Sequence, residues 1–292
     1  MAAKRPLIQR LCIIGVGLIG GSLARALREA GEVGEVIGCG RGEANLQAAV
    51  RLGVVDRYET DPAHAVAGAD VVVVAVPLGA MAAVLRSIVP HLAPEAVVTD
   101  VGSAKGSVVE DVARIYGGIP PRFVPGHPIA GTENSGVEAS FATLFQRRRV
   151  ILTPLAETAA TAHHLIQQMW ELTGAEVVDM GVHHHDAVLA ATSHLPHLLA
   201  YTLVDTLARL DDRAEIFRYA AGGFRDFTRI ASSDPTMWRD ICVANREQLL
   251  EMIALFNADL AQLAEAIRHD DHAAILATFQ RAKRARDNLY LE

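Results

Sequence analysis

Cysteine and lysine are both scarce in this chain, and net positive charge is lacking altogether. Only Cys12, Cys39 and Cys242 occur in 292 residues, at no metal-ligand or redox spacing, so a reducing compartment is the simpler reading. Lysine is limited to Lys4, Lys105 and Lys283, so most positive charge is arginine and the mid-chain Lys105 stands out. A formal charge of −7 argues against a nucleic-acid binder or a membrane-surface binder. Long apolar runs are equally sparse. Lys4, Arg5 and Arg10 followed by L-C-I-I-G-V-G-L-I-G-G-S-L-A mimic a signal peptide, but the glycine spacing inside the run has another explanation. No other stretch is expected to span a bilayer, so the expectation is a soluble, cytoplasmic protein without nucleic-acid or membrane partners.

What is present begins with an apolar strand at residues 11–16 running into Gly15-Val16-Gly17-Leu18-Ile19-Gly20, with a helical pattern over 22–30. A G-x-G-x-x-G between strand and helix permits a tight turn, close approach of a pyrophosphate, and anion binding at the helix N-terminus. A second strand at 35–38 ends in Cys39-Gly40-Arg41. A carboxylate for the ribose 2′-hydroxyl is missing there, and Arg41 can pair with a 2′-phosphate, so NADP is the expected cofactor with NAD possible. A helix over 43–52 leads to the all-apolar strand 70–76, closed by Pro77. A helix over 78–89 and a strand over 96–101 follow, the strand ending in D-V-G-S-A-K-G. Strands alternating with helices predict a doubly wound sheet whose ligands lie beyond the strands' carboxyl ends, which places Ser103 and Lys105 on the ligand-facing rim. Ser103 could equally cap the helix expected over 108–115.

Residues 124–136, V-P-G-H-P-I-A-G-T-E-N-S-G, present His127 between Gly126 and Pro128. Pro128 disfavours a helical backbone at His127, and small neighbours leave room for something to come close, so His127 is the candidate catalytic base. Strands over 150–153 and 176–178 flank a helix over 158–172, and the first domain is expected to end near Gly181. Beyond it the β-branched runs cease. A helix over 185–210 contains Ser193-His194-Leu195-Pro196-His197, with a kink expected at Pro196 and His194 and His197 on one face. A short helix over 215–219, a polar stretch over 222–235, and helices over 238–268 and 272–289 complete the chain. Leu249, Met252, Ile253 and Phe256 form an apolar stripe that suits dimerisation, although such a stripe is more often simply core. His183-His184-His185-Asp186 is not expected to bind metal, because consecutive helical residues point in different directions.

Taken in order, six stretches resemble the prephenate/arogenate (cyclohexadienyl) dehydrogenases of tyrosine biosynthesis: G-V-G-L-I-G-G-S at 15–22, A-V-P at 75–77, D-V-G-S-A-K at 100–105, G-H-P-I-A-G-T-E at 126–133, S-H-L-P-H at 193–197, and F-R-D-F-T-R-I-A-S-S-D-P-x-M-W-R-D at 224–240. The resemblance implies a Rossmann-like doubly wound domain over 1–181 and an all-helical substrate and dimerisation domain over 182–292. It also implies a homodimer that decarboxylates prephenate or arogenate oxidatively. His127 would be the base, with Ser103 beside the reacting hydroxyl. Arg229 would bind carboxylate, with Arg225 as second choice, and His197 and His194 would line the substrate pocket. Gly15, Gly17, Leu18, Ile19, Gly20, Arg41, Val76 and Pro77 would meet the cofactor. At 292 residues neither a fused chorismate mutase nor a regulatory domain is expected. A β-hydroxyacid dehydrogenase would need a lysine on the helix over 185–210, which has none. A non-catalytic NADP-binding scaffold gives no reason for His127, Ser103, His197 and Arg229 to occur together.

Overall fold

The computed structural model describes residues 5–132 and 134–288; Lys4, Glu133 of the G-H-P-I-A-G-T-E stretch and Leu289 lie outside the described residues. In chain order the first region contains β1 (Ile8–Ile14), α1 (Leu18–Glu29), β2 (Val33–Cys39), α2 (Glu43–Arg51), β3 (Arg57–Glu59), α3 (Pro62–Ala65), β4 (Val71–Val74), α4 (Leu78–Ile88), β5 (Val97–Asp100), α5 (Gly106–Tyr116) and β6 (Phe123–Val124). Next come β7 (Gly126–Pro128), β8 (Arg149–Leu152), α6 (Ala160–Glu171) and β9 (Glu176–Asp179). The helical remainder is α7 (Val182–Leu189), a π-turn at Ala190–His194, α8 (Leu195–Ala208), α9 (Arg213–Arg218), α10 (Gly222–Thr228), a 3-10 turn at Arg229–Ser232, α11 (Pro235–Ala244), α12 (Arg246–Arg268) and α13 (His272–Asn288).

Six strands form one parallel sheet in the order β3-β2-β1-β4-β5-β6. The four valines of β4 are all fully buried because both faces of the sheet are covered. Val71 and Val73 face one core with Leu11, Ile13 and Leu23, while Val72 and Val74 face the other with Cys12, Ile14 and Phe123. Each buried valine stabilises the fold by roughly 1.5–3 kcal/mol relative to exposure. The strand order reverses direction between β1 and β4, which opens the crevice where such sheets bind ligands.

β7 belongs to a separate three-stranded sheet, antiparallel to β8, which is parallel to β9. His127 therefore lies within a short edge strand, where Pro128's missing N–H is tolerated.

By compactness the chain divides into Met1–Asn245 and Arg246–Glu292, a later division than the change of pattern near Gly181. Within the second unit α12 and α13 pack on each other. The helix expected over 238–268 is interrupted at Asn245, and Asp234 caps α11 by accepting the N–H groups of Thr236 and Met237. One further expectation changes. The 27-residue helix Val182–Ala208 is, by length and composition, apolar enough to cross a membrane. It also carries buried His185, Asp186 and His194, all hydrogen-bonded within the protein.

Candidate active site

The glycine loop is shaped by contacts that exclude side chains. Gly15 has φ +100°, and a Cβ there would lie 2.2 Å from the Ala75 carbonyl oxygen. A Cβ on Gly20 would meet the Gly15 carbonyl at 2.5 Å, whereas at Gly17 nothing lies within 4 Å. The loop is thus tight on its protein side and open at Gly17. Gly17 also starts α1 without any side-chain cap, so the first N–H groups of that helix, Leu18 and Ile19 included, are left for a ligand. These features fit a dinucleotide's pyrophosphate. Asn45 braces the loop, donating from Nδ2 to the Val16 carbonyl at 2.7 Å while its Oδ1 accepts the Val137 N–H at 3.0 Å. Arg41 is exposed just after β2, and Val76 and Pro77 follow β4.

Ser103 follows β5 and is partly buried, but it does not cap the next helix. Asp186 does so from α7, its two carboxylate oxygens accepting the N–H groups of Lys105 and Gly106 at 2.8 Å each. Lys105 is likewise not on the rim. It is fully buried, paired with Asp100, and donates to the Gly126 carbonyl at 2.7 Å. Burial holds the Lys105 pKa below its ordinary value, with the carboxylates of Asp100 and Asp186 opposing that shift. A buried pair of this kind adds little net stability, but removing one partner costs several kcal/mol. Its structural effect is to tie the end of β5 and the start of α5 to the residue preceding His127.

His127 is 8% exposed, and its Nδ1 lies 2.9 Å from His185 Nε2. His185 Nδ1 lies 2.8 Å from Asp186 Oδ1. Burial pushes the His127 pKa well below its ordinary value, and the nearby His185, Lys105 and His194 lower it further, so the imidazole is neutral near pH 7. His194 is buried beside the Ser103 main chain, and burial pushes its pKa down to about 4. The Asn245 amide donates to both the Asp186 carbonyl at 2.8 Å and His194 Nδ1 at 3.0 Å. That leaves the His194 proton on Nε2, which is buried and faces the Ser103 main chain.

The π-turn at Ala190–His194 accompanies Pro196. Leu195 donates its N–H to the Ala190 carbonyl five residues back, so the helix widens immediately before the proline instead of simply kinking at it. His197 then donates from Nδ1 to the Ser193 carbonyl at 2.9 Å and stacks on Trp238 with ring centroids 3.6 Å apart. Trp238 also meets His194 edge-on at 6.2 Å, linking the two histidines. Burial lowers the His197 pKa, and the charge of Arg229, which begins the 3-10 turn packed against α8, lowers it further against the pull of the Ser193 hydrogen bond. Arg225 stands exposed on α10, apart from this chain of contacts.

No motif in the sequence marks His185, Asp186 or Asn245 as a site residue. One signal for His185 was present in the sequence, since it stands four residues before the apolar Leu189 and so shares its inward face. No cluster of potential metal ligands exists among the described residues.

A parallel sheet of this strand order, with an open glycine loop at its switch point and a buried neutral histidine near the neighbouring strand ends, defines a dinucleotide-dependent oxidoreductase. Comparison with known proteins makes the class specific. Residues 23–179 match the prephenate dehydrogenase nucleotide-binding domain and residues 182–281 match the prephenate dehydrogenase dimerization domain. The cyclohexadienyl dehydrogenase of Zymomonas mobilis is 40% identical over 281 residues, covering 95% of each chain. A crystal structure of prephenate dehydrogenase from A. aeolicus, in complex with hydroxyphenyl propionate and NAD+, superposes with TM-score 0.90 at 37% identity, covering 99% of this chain and 100% of that one. Synechocystis arogenate dehydrogenase superposes with TM-score 0.81 at 27% identity over 96% of this chain and all of that one. The chain belongs to the prephenate dehydrogenase family. It is a nicotinamide-dependent dehydrogenase whose reaction is an oxidative decarboxylation in tyrosine biosynthesis. The alternative of a non-catalytic scaffold has no support among these relatives.

Proposed function

We propose that the protein converts prephenate, arogenate or both into the corresponding aromatic product, with His127 as general base. The observation that carries this reading is the buried, neutral His127 on β7, anchored through Gly126 and Lys105 to the end of β5. His127 accepts the ring hydroxyl proton through its free ring nitrogen, and Ser103 hydrogen-bonds the reacting hydroxyl or the imidazole. When bound, the nicotinamide supplies the hydride acceptor. Loss of the ring carboxylate as CO₂ makes the ring aromatic and the reaction effectively irreversible. Arg229 binds a substrate carboxylate, with Arg225 as a second anion contact, and His197 and His194 line the pocket from the helical side. Gly15, Gly17, Leu18, Ile19, Gly20, Val76 and Pro77 hold the dinucleotide. Arg41, with Gly40 in place of a carboxylate, favours NADP while leaving NAD usable.

The chain divides functionally into a dinucleotide-binding domain over 1–181 and a helical substrate and dimerisation domain over 182–292. The protein works as a homodimer, and its free cysteines and net negative charge suit the cytoplasm.

The test is absorbance at 340 nm after adding prephenate or arogenate with NADP or NAD. At least one combination should show rising absorbance, and silence in all four overturns the reaction. His127→Asn should lower kcat by roughly 10²–10⁴-fold with little change in KM; near-normal turnover removes the base assignment. In the same assay Arg41→Ala should lower the NADP-over-NAD ratio of kcat/KM, and an undiminished preference removes the role of Arg41.

A further inference from the structure

We infer that His185 and Asp186 are positioning residues that set the tautomer of His127 and thereby make its Nε2 the proton-accepting atom. The inference rests on the reading of His127 as base.

Asp186 accepts two main-chain N–H groups at the start of α5, from Lys105 and Gly106, at 2.8 Å each. These bonds and the His185 contact hold its pKa below the usual carboxylate range despite burial, so it is ionised and can only accept. The proton in the 2.8 Å contact with His185 Nδ1 must then reside on that nitrogen. His185 is fully buried, and burial lowers its pKa below the ordinary value against the pull of Asp186, so the ring is neutral and its Nε2 carries a lone pair. The 2.9 Å contact between His185 Nε2 and His127 Nδ1 can exist only if His127 donates. His127 therefore carries its proton on Nδ1 and its lone pair on Nε2. Two tautomers are fixed in series by one carboxylate held against a helix N-terminus.

The same arrangement acts after proton transfer. When His127 Nε2 takes the hydroxyl proton, the imidazolium retains its Nδ1–H bond to His185, whose own Nδ1–H points at Asp186. The positive charge is then stabilised by two aligned hydrogen bonds ending on a fixed anion, in a region where burial strengthens such bonds. The other charged or titratable groups facing this chain are Asp100 and Lys105 from the connection of β5 to α5, and His194 from the long helix. Asp100 and Lys105 pair with each other, and His194 is neutral above about pH 4, so the carboxylate of Asp186 is left to offset the imidazolium.

The test combines a spectroscopic readout with variants. In ¹⁵N-labelled wild-type enzyme at neutral pH, His127 should show a protonated Nδ1 and an unprotonated Nε2 by long-range ¹H–¹⁵N correlation. The opposite tautomer overturns the proposal without any mutation. Asp186→Asn removes the fixed negative charge at the end of the chain of hydrogen bonds, so the imidazolium formed at His127 loses its counter-anion. It should lower kcat by about 10²-fold or more, in line with the loss seen when a triad carboxylate becomes an amide, while KM and cofactor affinity stay near wild type. His185→Gln leaves Asp186 capping α5, which guards against a variant that merely fails to fold, and it should lower kcat in the same manner. The acidic limb of the kcat pH profile should also move in both variants. Folded variants with kcat within about twofold of wild type and an unmoved limb overturn the relay. If His127→Asn abolishes turnover while these variants do not, the relay fails and the base reading stands; if His127→Asn remains active, the base reading itself has failed.

Discussion

At the scale of single residues, this site is built from histidines kept neutral by burial, and that makes the fold sensitive to acid. His194 is 1% exposed, with its pKa pushed down to about 4 from an ordinary value of 6.5. An unfolded chain binds a proton near pH 6.5 that the folded chain refuses until about pH 4, so the stabilising contribution is complete above 6.5 and fades as pH falls through that window. At about 1.4 kcal/mol per pKa unit, the effect of His194 alone is about 3 kcal/mol. His127, His185 and His197 are depressed in the same direction and add to it. Asp186, whose folded pKa is also depressed, contributes stability that is lost at still lower pH. The urea midpoint should be flat above about pH 7 and fall steeply between pH 6.5 and 4. A midpoint that holds or rises on acidification across that range would refute neutral burial of this cluster.

Among the elements, the strands and helices with strong patterns were legible and the short polar ones were not. The uninterrupted valines of β4 and the glycine turn after β1 announce themselves because each has one dominant physical cause. β3, Arg57–Glu59, has no apolar signature; it is held by pairing with β2 and by Arg57's ion pairs to Glu35 and Glu59. The break between α11 and α12 was hidden because the apolar period continues past Asn245, whose side chain is drawn to Asp186 and His194 by contacts 59 and 51 residues away in sequence. Asn45 illustrates how an element serves the site. From the first turn of α2 it ties the glycine loop to the segment that follows β7. Asn45→Ala leaves the Val16 carbonyl and the Val137 N–H without this partner, a loss of about 1–3 kcal/mol for partly buried groups. The variant should bind NADPH more weakly by fluorescence titration, with kcat at saturating cofactor little changed. Unaltered affinity in a folded variant would show that the brace is unrelated to the loop.

For the whole molecule, order along the chain revealed a Rossmann-like part followed by a helical one and nominated the residues proposed for the site, since residues at strand ends converge whenever the sheet is doubly wound. It could not reveal the pairing of His127 with His185, 58 residues apart, because nothing local records which helix covers β7. Assembly poses the same kind of problem, and here exposure provides the argument. Leu250, Leu255, Leu260 and Ile267 on α12, with Leu276 and Phe279 on α13, are each 53–58% exposed in the single chain. At 100° per residue, Leu260 and Ile267 share one face of α12 while Leu250 and Leu255 lie on others, so the helix is apolar around much of its girth. A helix of that character is ordinarily covered on several sides. A second copy of the chain is the natural cover, and residues 182–281 match a dimerization domain. Each leucine buried by a partner contributes roughly 1.5–3 kcal/mol, so placing carboxylates at two of these positions should be enough to dissociate the pair. Sedimentation equilibrium at micromolar concentration should give twice the chain mass for wild type and the monomer mass for the double variant Leu260→Glu/Ile267→Glu. A wild-type protein that sediments as a monomer would show that α12 is not covered by a second copy under those conditions, and the homodimer would have to be abandoned.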